Sequence, residues 1–180
     1  MSILREIETE ALSPQTAGEF GKALVFEGTA ASSPGEWWKC WEGCAELSQG
    51  RQWVGFVQAN GGTPEIVEME REPGTEIVIP VTGELVQVVA TGICDQAGIR
   101  RPDALKARAF VIKPGTALVM APGVWHAAAF GLRGTASYFY VAERRKAEDS
   151  EGRGGWVEFA DRFRLMCRMP DPAVPANRGE

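Results

Sequence analysis

The chain has 180 residues, of which 44% are hydrophobic and 24% charged, and its formal net charge is -5. This length and composition favour a single globular domain, which we place at residues 1–169, followed by a flexible tail at 170–180. The acidic balance argues against a nucleic-acid partner, and the sequence shows neither a membrane-spanning apolar run nor a signal peptide, so we expect a cytoplasmic protein with no membrane partner.

The first predicted element is a short helix at residues 13–21, because Ser13 can cap it and Pro14 suits its first turn. A strand at 22–27 follows, and then a polar segment with three tryptophans, Trp37, Trp38 and Trp41. Their spacing fits a strand and a helix equally well. This cluster marks either a strand packed on the domain or a dimer interface or lid over a pocket.

From residue 51 onwards the sequence is a series of short β-rich runs with Gly or Pro at nearly every junction. The predicted strands lie at 52–59, 65–70, 76–81, 84–91, 107–112, 117–121, 127–132 and 135–143. Residues 156–169 stay open between a helix and a strand. The pattern predicts an all-β sandwich or barrel with a short N-terminal helix and an irregular C-terminal segment.

The chain contains a single histidine, His126, at the start of a predicted strand after the Pro122–Gly123 turn. One imidazole excludes any site within one chain that needs two or more of them, such as an HExxH zinc site. An imidazole at the lip of a barrel can act as a general acid or base, or supply one metal ligand. The alternative is a histidine that only hydrogen-bonds a turn carbonyl.

Three glutamates, Glu70, Glu72 and Glu76, stand close together in the predicted strands before and after the Pro73–Gly74 turn. They form either a solvated acidic stripe or a group that points inward toward His126. Carboxylates that point inward need a metal, an arginine or a substrate cation to stay charged.

The spacing of these residues resembles that of the cupin superfamily. The first cupin motif is G-x5-H-x-H-x(3-4)-E-x6-G, and four residues match it with glutamates in both histidine positions: Glu70, Glu72, Glu76 and Gly83. Residues 115–126 resemble the second motif, with the proline displaced by one position. The predicted fold is therefore a cupin-like, jelly-roll β-barrel.

Residues 66–141 resemble the ureidoglycolate lyase family, formerly called ureidoglycolate hydrolase. The resembling pieces are MEREPGTE at 69–76, PDAL at 102–105, RAF at 108–110 and VWH at 124–126. The resemblance implies a homodimeric enzyme that cleaves ureidoglycolate to glyoxylate and urea in allantoin breakdown. The chain departs from the family pattern at three positions, where it has Glu72, Glu76 and Ala127 in place of His, Gln and a second His.

Under the family resemblance, His126 is the leading candidate for the general acid or base. Glu76 and Glu72 are further candidates for the catalytic group. The resemblance also implies that Arg108 or Arg71 grips the substrate carboxylate through paired hydrogen bonds. Two aromatic residues, Trp125 and Tyr138, are further candidates for the pocket wall and substrate contact, with core packing as the alternative.

Two other functions stay open, because several carboxylates in one pocket repel an anionic substrate. The first is a metal-dependent cupin enzyme of other chemistry, in which one divalent ion (Mn, Fe, Ni or Mg) is held by Glu70, Glu72, Glu76 and His126. The second is a non-catalytic module that binds a small molecule, or a partner through its Trp-rich segment.

Overall fold

The computed structural model describes residues 2–143 and 155–170. The N-terminal part contains β1 (Ile3–Ala11), the helix α1 (Pro14–Ala17), a 3-10 turn (Gly18–Phe20), β2 (Gly21–Val25), β3 (Ser33–Pro34) and β4 (Lys39–Cys40). The middle contains β5 (Gln52–Ala59), β6 (Glu68–Arg71), β7 (Glu76–Thr82), β8 (Leu85–Ala90), β9 (Gly92–Cys94) and β10 (Arg100–Pro102). The remaining elements are 3-10 turns at Ala104–Lys106 and Ala160–Arg162, with β11 (Arg108–Ile112), β12 (Thr116–Met120), β13 (Trp125–His126), β14 (Phe130–Gly131), β15 (Ala136–Glu143), β16 (Val157–Glu158) and β17 (Phe163–Arg168).

Most of these strands belong to two sheets. The larger sheet has the order β16-β6-β13-β8-β11-β1-β17, with β14 also paired to β8, and the smaller has the order β2-β12-β7-β15-β5. A bridge between Ile66, just before β6, and Leu165 in β17 curls the larger sheet round on itself. This mostly β, two-sheet arrangement confirms the predicted all-β fold class.

Strand β8 lies in the middle of the larger sheet and is buried on both faces. Leu85 and Val89 belong to the core between the two sheets, whereas Val86 and Val88 belong to a second core on the opposite side. Successive side chains of a strand point to opposite faces. The remaining residue of the inner series, Gln87, therefore places a polar group between the two sheets.

The N-terminal helix begins where the sequence predicts it. The Ser13 hydroxyl accepts a hydrogen bond from the Thr16 amide at 3.1 Å, and the Thr16 hydroxyl accepts one from the Ser13 amide at 2.8 Å. This reciprocal capping satisfies amides that the first turn of a helix leaves unpaired. The helix is shorter than predicted, because β2 already begins at Gly21.

Gly and Pro turns place the predicted strands close to their observed positions. The predicted strand at 52–59 coincides with β5, and those at 76–81 and 107–112 differ from β7 and β11 by one residue. The predicted strand at 127–132 is wrong in its bounds. Only Phe130–Gly131 within it forms a strand, β14, whereas β13 lies just before it and ends at His126; both of these short strands pair with β8.

The sequence pattern does not predict β1, which pairs in parallel with both β11 and β17. Four of its nine residues are charged, and only Ile7 is buried. The segment left open at 156–169 forms β16, a 3-10 turn and β17, so most of its structure is strand. Arg168 of β17 pairs with Glu6 and Glu8 of β1, and these ion pairs explain why acidic residues suit β1.

The tryptophan segment forms neither a helix nor a long strand. Two-residue strands, β3 and β4, flank a turn that exposes Trp37 to 86% and Trp38 to 43%. Trp41 packs against Phe26, with ring centroids 5.3 Å apart.

Nearly all of the predicted tail, residues 171–180, lies outside the described residues. Within the described part of the chain, no helix is both long and apolar enough to span a membrane.

Candidate active site

A cavity of about 330 Å³ lies between the two sheets, and both sheets supply its walls. All three glutamates of the predicted cluster and the single histidine line it. The lining residues are Val57, Glu70, Glu72, Glu76, Val78, Gln87, His126, Ala127, Ala128, Ala129, Tyr138 and Tyr140. The interpretation of these glutamates as a solvated outer stripe is therefore wrong, because the strands turn them inward.

Strand pairing positions the acidic residues around His126. Strand β13 lies between β6 and β8, and His126 is directly opposite Glu70 in the antiparallel register. Residues opposite each other across an antiparallel pair share one face of the sheet. Glu76 arrives from the smaller sheet, as the first residue of β7. The Gly123 amide donates to the Glu72 carbonyl at 2.9 Å and ties the turn before β13 to the end of β6.

A close polar contact in the cavity joins the side chains of His126 and Glu76. The His126 Nε2 atom is 3.1 Å from Glu76 Oε2 and 3.9 Å from Glu70 Oε1. Both His126 and Glu76 are buried, with exposed fractions of 5% and 9%. A charge-assisted hydrogen bond between buried groups is stronger than the same contact in water.

The other imidazole nitrogen faces the backbone. His126 Nδ1 lies 3.3 Å from the Val124 carbonyl oxygen. Because a carbonyl only accepts hydrogen bonds, this contact places a proton on Nδ1. A second proton, on Nε2, then points at Glu76, and the geometry fits an imidazolium cation paired with a carboxylate.

Two opposing effects set the pKa of His126. Burial lowers it, since the charged ring loses its water. The Glu76 carboxylate, through its charge and its hydrogen bond, outweighs burial, and Glu70 adds to this. The net effect raises the pKa of His126 from 6.5 to about 9. His126 is therefore protonated at neutral pH and is suited to donate a proton.

The tyrosines form the wall that faces His126. Tyr138 and Tyr140 are two residues apart on β15, so both point inward from the smaller sheet. Burial, together with the nearby Glu76 charge, raises the pKa of Tyr138 to about 12. The Tyr138 phenol therefore keeps its proton and offers a neutral hydroxyl to the cavity.

Gln87 is a buried polar residue of the cavity that the sequence analysis does not predict as a site residue. Its side chain is 1% exposed, lines the cavity, and donates from Nε2 to the Ala127 carbonyl at 2.6 Å and to the Val88 carbonyl at 3.3 Å. The signal for it in the sequence is a polar residue inside the apolar run Leu-Val-Gln-Val-Val-Ala at 85–90, because a buried strand rarely carries an amide without a use.

Of the four predicted substrate-binding residues, only Tyr138 lines the cavity. Trp125 is fully buried in the core on the far side of the larger sheet, and the Arg71 guanidinium stacks over its ring at 5.0 Å. Each is the strand neighbour of a cavity residue, and alternation along the strand sends it to the opposite face. Arg71 and Trp125 therefore stabilise the sheet behind the site.

Arg108 also lies outside the cavity lining. Its guanidinium donates to both carboxylate oxygens of Glu10, with 2.7 Å from Nε to Oε1, and to the Thr16 carbonyl at 2.8 Å. These contacts join β11 to β1 and to the helix α1. The structure assigns Arg108 a scaffold position, and it does not bring this guanidinium to the group around His126.

The arrangement around His126 bears on the predicted metal ligands. Both nitrogens of His126 are engaged, by Glu76 and by the Val124 carbonyl. Among the described residues, no group of three or more His, Cys, Asp or Glu side chains is arranged to hold a metal. The residues Glu70, Glu72, Glu76 and His126 share the cavity.

Comparisons with known proteins bear on this site. The family model for ureidoglycolate lyase matches residues 5–154. No curated protein matches the chain significantly.

The solved structures that are similar to this chain include three examples of low similarity. RmlC from Streptococcus suis is 15% identical with a TM-score of 0.36, and the match covers 54% of this chain and 45% of RmlC. The ribosomal oxygenase YcfD from Escherichia coli is 16% identical (TM-score 0.34; 56% and 25% covered). A vicilin from Solanum melongena is 17% identical (TM-score 0.33; 52% and 24% covered). The match spans less than half the length of each of these proteins.

Proposed function

Since the chain belongs to the ureidoglycolate lyase family, we propose that it is a carbon–nitrogen lyase that cleaves a small hydroxy-ureido compound. The family reaction, ureidoglycolate to glyoxylate and urea in purine breakdown, is the specific form of the proposal. The observation that carries it is the buried pair of His126 Nε2 and Glu76 Oε2, 3.1 Å apart in a cavity that suits a small molecule.

The reaction needs two proton transfers on one substrate. The hydroxyl of the substrate loses its proton, its oxygen forms the aldehyde double bond, and the carbon–nitrogen bond breaks. The electron pair of that bond stays with the nitrogen, which must take up a proton to leave as urea. A general base at the hydroxyl and a general acid at the nitrogen are therefore required.

The pair provides both groups. His126, with its pKa raised to about 9, holds the proton that the departing nitrogen needs. The Glu76 carboxylate accepts the hydroxyl proton, and the hydrogen bond between the two residues lets this proton return to His126 after each turnover. Glu72, which also lines the cavity, is a second carboxylate within the same site. Burial excludes bulk water from the pair and strengthens each electrostatic contact.

The experiment is an assay of purified protein with ureidoglycolate that measures urea and glyoxylate separately. Wild-type protein should release the two products in equal amounts. His126→Asn and Glu76→Gln should each reduce kcat by roughly 10²–10⁴-fold, the usual contribution of a general acid or base. Glu19→Gln, an exposed carboxylate far from the cavity, is the matched control and should retain full activity. If wild-type protein releases neither product, the specific reaction is wrong.

A further inference from the structure

We propose that Gln87 is the residue that recognises the ureido group, by accepting a hydrogen bond from its N–H through Oε1. The ligand class is therefore a compound with an unsubstituted ureido end, –NH–CO–NH2, held with that end against Gln87. This inference deepens the proposed function and rests on it for the identity of the group.

The orientation of the Gln87 amide is fixed by its neighbours. Its nitrogen faces two carbonyl oxygens, those of Ala127 at 2.6 Å and Val88 at 3.3 Å. A carbonyl oxygen accepts and never donates, so the reversed orientation, with the amide oxygen against two carbonyls, would be repulsive. The nitrogen therefore belongs to the wall of the site.

The oxygen of the same Gln87 amide is the atom available to a ligand in the cavity. Both hydrogen bonds of the Gln87 side chain among the described residues use its nitrogen. Its oxygen is not one of the fully buried polar atoms without a partner, and Gln87 lines the cavity, so this acceptor opens to the cavity. A ligand that brings an N–H can pair with this acceptor, whereas a carboxylate, which only accepts, would add a repulsion.

The position of Gln87 on the strand agrees with the chemistry of the pair. His126 is opposite Val89 in the register, and Gln87 is two residues further along the same face of β8. Side chains at this spacing stand about 7 Å apart. A ureido group with a hydrogen bond at each end spans about that distance. Its outer NH2 would reach Gln87 while its inner nitrogen, the one that leaves as urea, faces the proton on His126.

The test measures binding of the two products apart from turnover, by following the imidazole NMR signals of His126 as each is added. His126 is the only histidine in the chain, so its signals need no assignment. The probes are urea, at concentrations well below those that unfold the protein, and glyoxylate. The variants are Gln87→Met, which keeps the length of the side chain, and Gln58→Met, the matched control on the exposed face of β5.

Gln87→Met should weaken urea binding by about 10-fold, the loss of one hydrogen bond, and change glyoxylate binding less than 2-fold. Gln58→Met should change neither. Unchanged urea binding, or an equal loss for both probes, overturns the proposal.

If Gln87→Met does not fold, the binding of two ligands to the wild-type protein tests the proposal instead. Urea should then bind and tetramethylurea, which lacks every N–H, should not, and equal binding of the two overturns the proposal. A failure to turn over ureidoglycolate leaves these binding results unaffected and refutes only the proposed function.

Discussion

Glu76→Gln is expected to lower the pKa of His126 sharply. In the wild-type protein the Glu76 carboxylate raises that pKa from 6.5 to about 9 against the opposing effect of burial. The rise corresponds to about 3 kcal/mol in favour of the charged imidazole, at 1.36 kcal/mol for each pKa unit. Glutamine keeps the shape of Glu76 and removes its charge. Burial then dominates, and only Glu70, at 3.9 Å from Nε2, still favours the cation.

The measurement is an NMR titration of the imidazole signals between pH 5 and pH 10.5. The wild-type histidine should be half protonated near pH 9, and the Glu76→Gln histidine at or below the ordinary value of 6.5. Glu84→Gln is the matched control, since Glu84 lies in the turn between β7 and β8 and pairs with Lys113 outside the cavity. It should leave the histidine titration unchanged.

Two results would refute this reasoning. A wild-type histidine that titrates near 6.5 would mean that the close contact with Glu76 does not persist in solution. A Glu76→Gln histidine that still titrates near 9 would mean that another group holds the proton. Either outcome would also remove the reason for assigning His126 the role of general acid at neutral pH.

Two further predictions concern stability. Folding raises the pKa of His126, so the stabilisation from its proton is fully present below pH 6.5 and is lost as pH rises through about 9. Calorimetry of the wild-type protein should therefore show a lower thermal midpoint at pH 9.5 than at pH 6.5. An equal decline of the thermal midpoint in Glu76→Gln would contradict this. Arg108→Ala should lower the free energy of unfolding by about 1 kcal/mol, because it removes a partly exposed ion pair with Glu10 and a bond to the Thr16 carbonyl. Guanidinium unfolding measures this loss, and a similar loss in Arg51→Ala, an exposed arginine before β5, would argue against it.

The fold could be predicted largely because Gly and Pro residues mark its turns in the sequence. Gly and Pro between 61 and 134 separate short apolar runs, and these runs became β7, β8, β11, β12 and β15. The local sequence pattern does not predict strand β1, and the reason is physical. Its stability comes from pairing in parallel with β17, more than 150 residues away, and from ion pairs with Arg168 that no local pattern reveals.

The candidate site was predictable in its centre and less so in its walls. The cupin-like spacing brought Glu70, Glu72, Glu76 and His126 to one cavity, as the motif resemblance implied. Arg71 and Trp125, which the sequence also offered as substrate-binding residues, are not part of the cavity lining. In a strand, one step along the chain moves a side chain to the other face of the sheet, so Arg71 and Trp125 point away from the site that Glu70 and His126 form.

That alternation also accounts for the chemistry of the cavity. A strand buried on both faces needs apolar residues throughout, and β8 provides them except at Gln87, on the face shared with His126. An amide at this position costs free energy unless its polar atoms are paired. Its nitrogen is paired with the wall, and its oxygen opens to the cavity as a hydrogen-bond acceptor. An acceptor at this place favours ligands that bring an N–H, and a ureido group is such a ligand.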